Sequence, residues 1–152
     1  MTIDQRSDEE LAAQPAAYWT RLAYEATIGF TRARQAEAGF TQPQFWLLRN
    51  LSRNDLWPDG RGRTIAELTV AMAGYLRAED DLTSEAETSA EKGWLTSDAE
   101  DRWWITDEGE KARLEMKAVS PGIRARIHEG IDDADYVTAL RVLLRMIDNV
   151  ER

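Results

Sequence analysis

The sequence predicts a mainly α-helical chain with one small β-hairpin, and three features between Thr64 and Leu114 carry that prediction. First, Ile65, Leu68 and Met72 fall at i, i+3 and i+7, the spacing of one apolar helix face, and Gly74 ends the run. Second, a helix is expected from Glu79 to Lys92, with acids in its first turn and Lys92 in its last, as the helix dipole favours; Gly93 closes it. Third, Trp94-Leu95-Thr96 and Arg102-Trp103-Trp104-Ile105-Thr106 are rich in β-formers, and the polar Ser97-Asp98-Ala99-Glu100-Asp101 between them suits a hairpin tip. Thr106 is placed to cap a following helix whose first turn holds Asp107 and Glu108. Helix, turn, helix and hairpin together make the outline of a winged helix. That outline alone leaves function open, because such a lobe can bind DNA, bind protein or fill space.

The 152 residues are enough for one domain with a real core. With 43% hydrophobic and 31% charged residues, the composition is that of a soluble globular protein. No run approaches the ~18 apolar residues of a membrane span. Met1-Thr2-Ile3-Asp4-Gln5 lacks the charged-then-apolar layout of a signal peptide, so a cytoplasmic location and no membrane partner are expected. The absence of cysteine excludes disulfides, thiolate zinc sites and cysteine nucleophiles. His128 is the one histidine; beside Glu129 and Asp132 it is too little for a transition-metal site. There is no glycine-rich phosphate loop, no paired histidines and no histidine near a serine nucleophile, so neither an enzyme nor a cofactor is expected.

Residues 1–14 read as a flexible tail, within which Ser7-Asp8-Glu9-Glu10 has the capping-box pattern for one short helical turn. The remainder, 15–152, reads as a single domain. A long helix begins at Pro15 and runs out near Ala38-Gly39. Tyr18, Leu22, Ala26 and Ala33, with Trp19, Ala23 and Phe30 beside them, make a surface wide enough for both core and partner subunit. Thr41 caps the next helix, on which Phe45, Leu48 and Leu51, with Trp46 and Leu47, face inward and leave Arg49 and Asn50 outside. Asn54 to Gly62 is loop by composition. Arg63-Thr64-Ile65 is a candidate short strand against the hairpin, with Thr64 capping the helix that follows. Beyond the hairpin a helix from Asp107 to Val119 should be interrupted by Ser120-Pro121-Gly122 and resume to about Gly130. The last helix, Asp132 to Val150, has the clearest period: Tyr136, Leu140, Leu143, Leu144, Ile147 and Val150.

Five motifs in this order resemble the MarR family of dimeric winged-helix transcriptional regulators. Phe40-Thr41-Gln42-Pro43-Gln44-Phe45-Trp46-Leu47-Leu48-Arg49-Asn50-Leu51 is similar to that family's LTxxQFxVLxxL second helix. Thr64-Ile65-Ala66-Glu67-Leu68 resembles its TxxEL helix opening, and Glu91-Lys92-Gly93-Trp94-Leu95 the end of its recognition helix. Ile105-Thr106-Asp107-Glu108-Gly109 is similar to the LTexG that follows the wing, and Ile131 to Tyr136 to the entry of the last helix. The resemblance implies a winged lobe at 40–106 and dimerisation helices at 15–38 and 107–152. It implies a homodimer on a double-stranded, pseudo-palindromic DNA operator, and a small, aromatic effector between lobe and dimer helices. The recognition helix would enter the major groove and the wing approach the minor groove.

On that reading, DNA contacts come from Thr83, Ser84 and Thr88 on the recognition helix and from the flanking Arg61, Arg63, Arg77, Lys92 and Arg102. Trp19, Phe45 and Trp46 are candidates for an aromatic ligand pocket, against the plainer reading of core or dimer packing. Trp94, Trp103 and Trp104 are candidates to stack on bases or form a partner surface, against the plainer reading that alternate ones anchor the wing to the core and leave at most Trp104 exposed.

Charge pulls the other way. The net charge is −9, and Glu79, Asp80, Asp81, Glu85, Glu87, Glu91, Asp98, Glu100 and Asp101 face Lys92 alone between Ala78 and Asp101. Each neutralised phosphate needs a cation, and the wing keeps only Asp101-Arg102 on a shortened tip. The alternative is therefore a winged-helix dimer that has lost DNA binding and serves as a protein-interaction module, with its acids against a basic partner or mimicking DNA.

Overall fold

The computed structural model describes residues 4–152; the first three residues of the expected tail lie outside them. The short helical turn expected from the Ser7–Glu10 pattern is present. Ser7 caps α1 (Asp8–Ala12), its hydroxyl accepting from the Glu10 N–H while the Glu10 carboxylate takes the Ser7 N–H. Pro15 then precedes α2 (Ala16–Glu37).

Two further capping boxes start the lobe. Thr41 and Gln44 exchange hydrogen bonds at the head of α3 (Gln42–Leu51), and Thr64 and Glu67 do so at α4 (Ile65–Met72). Helix α5 (Leu82–Glu91) starts three residues later than the expected Glu79. Asp81 is its cap, accepting from the Ser84 N–H, while the Asp80 carboxylate accepts the Arg77 N–H and holds 77–80 as a turn. Gly93, at φ +80°, lets the chain leave α5 through both bonds of a Schellman motif, Gly93 N–H to Ala90 O and Trp94 N–H to Ser89 O.

Strands β1 (Leu95–Ser97) and β2 (Trp103–Ile105) pair antiparallel with Leu95 opposite Ile105. Arg63 adds the expected third strand as a single bridge, exchanging both backbone hydrogen bonds with Trp103. Thr106 caps α6 (Asp107–Lys117). The break after α6 falls at Ala118-Val119, ahead of the expected Ser120-Pro121-Gly122. Pro121 instead lies in the first turn of α7 (Ser120–Ile127), where its missing N–H costs no helical bond. Helix α8 (Asp133–Glu151) ends the chain.

The core is built around α3, whose Phe45, Leu47, Leu48 and Leu51 meet Leu68 and Met72 of α4, Leu82 and Ala86 of α5, Leu95 of β1, and Ala112 and Met116 of α6. Each fully buried side chain of this size contributes about 1.5–3 kcal/mol. Asn50, expected outside, is only 2% exposed. Its amide donates to Trp46 O at 2.8 Å and accepts from Trp57 Nε1 at 3.0 Å, which tethers the loop after α3. Arg113, 4% exposed, fastens α6 to the same region through Asp55, which also takes Arg49. No helix among the described residues is long and apolar enough to cross a membrane.

Candidate nucleic-acid interface

Helix α5 turns Leu82, Ala86 and Ser89 inward, leaving Thr83, Ser84, Glu87 and Glu91 exposed and Thr88 half-buried. Most of the acids around it are engaged within the protein. Arg32 of α2 grips Asp80 through Nη1 and Nη2 at 2.7 and 2.8 Å, and these bonds hold the Asp80 carboxyl below the usual carboxylate range. Asp81 is occupied as the α5 cap, and Glu85 accepts from the Thr41 hydroxyl at 2.7 Å. Glu79 pairs with Arg77 Nε at 2.7 Å, which lowers its pKa as well. Glu87 and Glu91 have no hydrogen bond or ion pair among the described residues. The helix expected from Glu79 would have carried six acids; with α5 starting at Leu82, only Glu85, Glu87 and Glu91 lie on it.

The cations are engaged too. Arg77 reaches Glu25 of α2 at 3.0 Å as well as Glu79, and its guanidinium lies over the Tyr24 ring. Glu79, then Glu25 and Tyr24, raise its pKa further. Arg102 donates to Gly62 O at 3.0 Å and pairs with Glu67 at 3.1 Å. Glu67 is lowered in turn, first by the Thr64 N–H and then by Arg102. Arg63 lies over the Trp57 ring at 4.6 Å and pairs with Asp59 at 3.5 Å. Lys92 lies over Trp94 at 4.6 Å and donates to Gly39 O at 3.0 Å. Arg61 is exposed, its N–H donating to Asp59. These residues form groups: Arg61, Arg63 and Arg102 at the wing root, Arg77 ahead of α5, and Lys92 at its end.

Asp98 organises the wing tip by accepting from the Glu100 and Arg102 N–H groups and from Trp104 Nε1, the last bond doing most to lower its pKa. Trp104 is exposed, whereas Trp94 and Trp103 pack against the core, as expected.

The three aromatic ligand candidates do not converge. Phe45 is buried in the core, edge-on to Phe40. Trp46 stacks on Tyr75 at 3.6 Å with Arg49 over its ring. Trp19 lines a separate hollow with Leu11 and Gln14, beside Arg6. A larger cavity, of about 670 Å³, opens between α2, α7 and α8, with Tyr24, Thr31, Gln35, Arg124, His128 and Tyr136 on its wall. His128 packs on Tyr136 at 4.3 Å, and the buried Gln35 Oε1 has no hydrogen-bond partner. Sequence reasoning missed this wall. Its signal was a polar line, Thr27, Thr31 and Gln35, spaced four apart along α2.

No family model matches the sequence, and no curated protein matches it. Solved structures do. A MarR family transcriptional regulator from Silicibacter pomeroyi superposes with a TM-score of 0.69 at 20% identity, covering 95% of this chain and 99% of its own. BpsR of Bordetella bronchiseptica, whose DNA binding is regulated by 6-hydroxynicotinic acid, superposes at 0.65 with 18% identity, over 90% of this chain and 96% of its own. A Mycobacterium tuberculosis MarR family protein in complex with DNA gives 0.65 at 18%, over 88% and 98%. The chain has the winged helix-turn-helix fold of the MarR family transcriptional regulators.

Proposed function

We propose that this chain is a cytoplasmic, dimeric transcriptional regulator that binds operator DNA through α5 and the wing and is released by a small aromatic effector. One observation carries the reading: on a MarR-type fold, α5 offers Thr83 and Ser84 outward while Asp80, Asp81 and Glu85 are turned to internal partners. On α5 itself the charge objection is thereby reduced to Glu87 and Glu91, while the wing tip keeps Glu100 and Asp101 exposed. A carboxylate in the major groove has a use, since it accepts from the cytosine amine. The engaged arginines remain available to phosphates, because a partly exposed ion pair is worth only about 0–1 kcal/mol. Arg102 and Arg77 are the cations we expect to exchange carboxylate for phosphate.

Dimerisation is supported by the apolar faces that α2 and α8 leave open, including Leu22, Leu140, Leu144 and Ile147. The effector is assigned to the α2–α7–α8 cavity, where Arg124, Gln35, Thr31 and His128 offer polar groups among Ala23, Ile28, Ile123, Ile127, Leu140 and Leu143.

Fluorescence anisotropy with DNA from upstream of the protein's own gene, across a salt series, tests the proposal. Specific binding is expected to weaken with salt, with a log–log slope of about −0.9 per phosphate neutralised. Arg102→Gln should make that slope shallower, and 6-hydroxynicotinic acid serves as the first effector probe. No binding at low salt, to this or to pooled genomic fragments, would reject it. The interaction-module reading would then stand, favoured by the unpaired Glu87 and Glu91 and by cations already engaged.

A further inference from the structure

We propose that Tyr24 is the link through which the α2–α7–α8 cavity governs α5, a mode of regulation that rests on the effector reading above. Tyr24 stands on the cavity wall, and the Arg77 guanidinium lies over its ring, 5.4 Å from the centroid. The next residue, Glu25, takes Arg77 Nη2 at 3.0 Å. The Arg77 backbone N–H donates to Asp80 at 2.7 Å, and Asp80, with its side chain 7% exposed, is held by Arg32. Asp81 then caps α5. The lead-in to α5 is therefore clamped to α2 at two positions, Glu25 and Arg32, which lie seven residues apart on one helix face.

Within this clamp the two ends differ. Arg32 meets Asp80 with two parallel bonds, a geometry that holds its orientation. Arg77 is less complete, because its Nη1 is buried with no partner. A side chain already short of one hydrogen bond resists displacement least. A molecule entering the cavity and moving the Tyr24 ring removes the surface on which Arg77 rests. The turn at 77–81 then loses its Glu25 anchor, and α5 pivots about the Arg32–Asp80 pair. Coupling of this kind requires an element that both sites bias, and the 77–81 turn is that element.

Hydrogen exchange of backbone amides in the full-length protein, without DNA or ligand, tests the link. Tyr24→Leu should raise exchange across α5 by about threefold or more while leaving α3 and α6 unchanged. Arg77→Gln should do the same, and the double variant should exceed neither single, because both cut one connection. Tyr24→Phe keeps the ring beneath Arg77 and loses only the hydroxyl that also acts on it, so it should raise α5 exchange less than Tyr24→Leu does, and it guards against a variant that merely fails to fold. Additive effects, or a Tyr24→Leu change confined to α2 and α7, would overturn the link and leave Tyr24 a local packing residue. Because no DNA is present, an altered α5 in a protein that fails to bind DNA supports the link while rejecting the regulator reading.

Discussion

Helix α3 buries seven of its ten residues, whereas α8, with 19, buries none. Both sequences are amphipathic and both carry leucines at helical spacing, so composition does not distinguish them. The difference lies in what surrounds them. Helix α3 is enclosed by α4, α5 and the wing of the lobe and by α6 beyond it. Helix α8 meets the rest of the protomer chiefly around the cavity, through Tyr136, Leu140 and Leu143, and keeps Leu144, Ile147 and Val150 in solvent. The lobe thus buries its apolar faces within the protomer, and the terminal helices leave apolar surface open, which the dimer proposed above would cover.

The largest expected effect tests the first half of that contrast. Leu48→Ala should cost about 2–5 kcal/mol, read as a loss in urea midpoint that is independent of protein concentration. Its counterpart, Leu144→Ala, should scarcely alter unfolding at high dilution and should instead weaken self-association, read by sedimentation as a shift toward monomer. A concentration-independent loss at Leu144 as large as that at Leu48 would end the contrast.

Next in size is Asp80→Asn, which removes the charge gripped by Arg32 and should cost about 2 kcal/mol at neutral pH. The folded pKa of Asp80 lies below its ordinary 3.8. Its contribution is therefore complete above that value and is lost as pH falls through the lower, folded pKa. Acid titrations of the two proteins should differ at pH 7 and begin to converge only as the pH falls below the ordinary 3.8; a constant gap down to the acid limit would exclude Asp80 as its source.

A smaller effect separates the wing from α6. Thr106→Ala removes the cap that accepts from Gly109 N–H and also donates to Gly93 O, and should lower thermal stability by about 1–2 kcal/mol. Smallest of all, Asp148→Ala breaks the exposed pair with Arg152 at the end of α8 and should change stability by less than about 0.5 kcal/mol. A larger loss there, in monomer, would mean that α8 is held more firmly than its exposure implies.

Much of the lobe was legible because local rules and global packing agree in it. Three threonines, at 41, 64 and 106, stand before helices and cap them, and the apolar spacing of Ile65, Leu68 and Met72 predicts the buried face of α4. The errors fall where a distant partner intervenes. The expected start of α5 at Glu79 ignores Arg32, 48 residues upstream of Asp80, which draws that carboxylate out of the helix. Asn50 reads as exposed until Trp57, seven residues on, supplies the donor that satisfies its buried oxygen. The acids read as a repellent face because sequence displays charge without its counter-charge. The α2–α7–α8 cavity was hidden for a related reason: its wall is assembled from three helices, and a histidine without cysteines gives no ligand signal.

Gly109 has a consequence for anyone recutting this scaffold. A Cβ there would collide with the Trp94 carbonyl, and the Ile105 side chain is nearly as close. The first turn of α6 therefore nests directly on the wing, which is also stitched back through Thr106 to Gly93 and sideways through Trp103 to Arg63. The wing is not a detachable loop. A chimera that transplants only the hairpin would separate interlocking surfaces, so the smallest exchangeable cassette runs from residue 93 to 109 and must bring along its matched strand at 63.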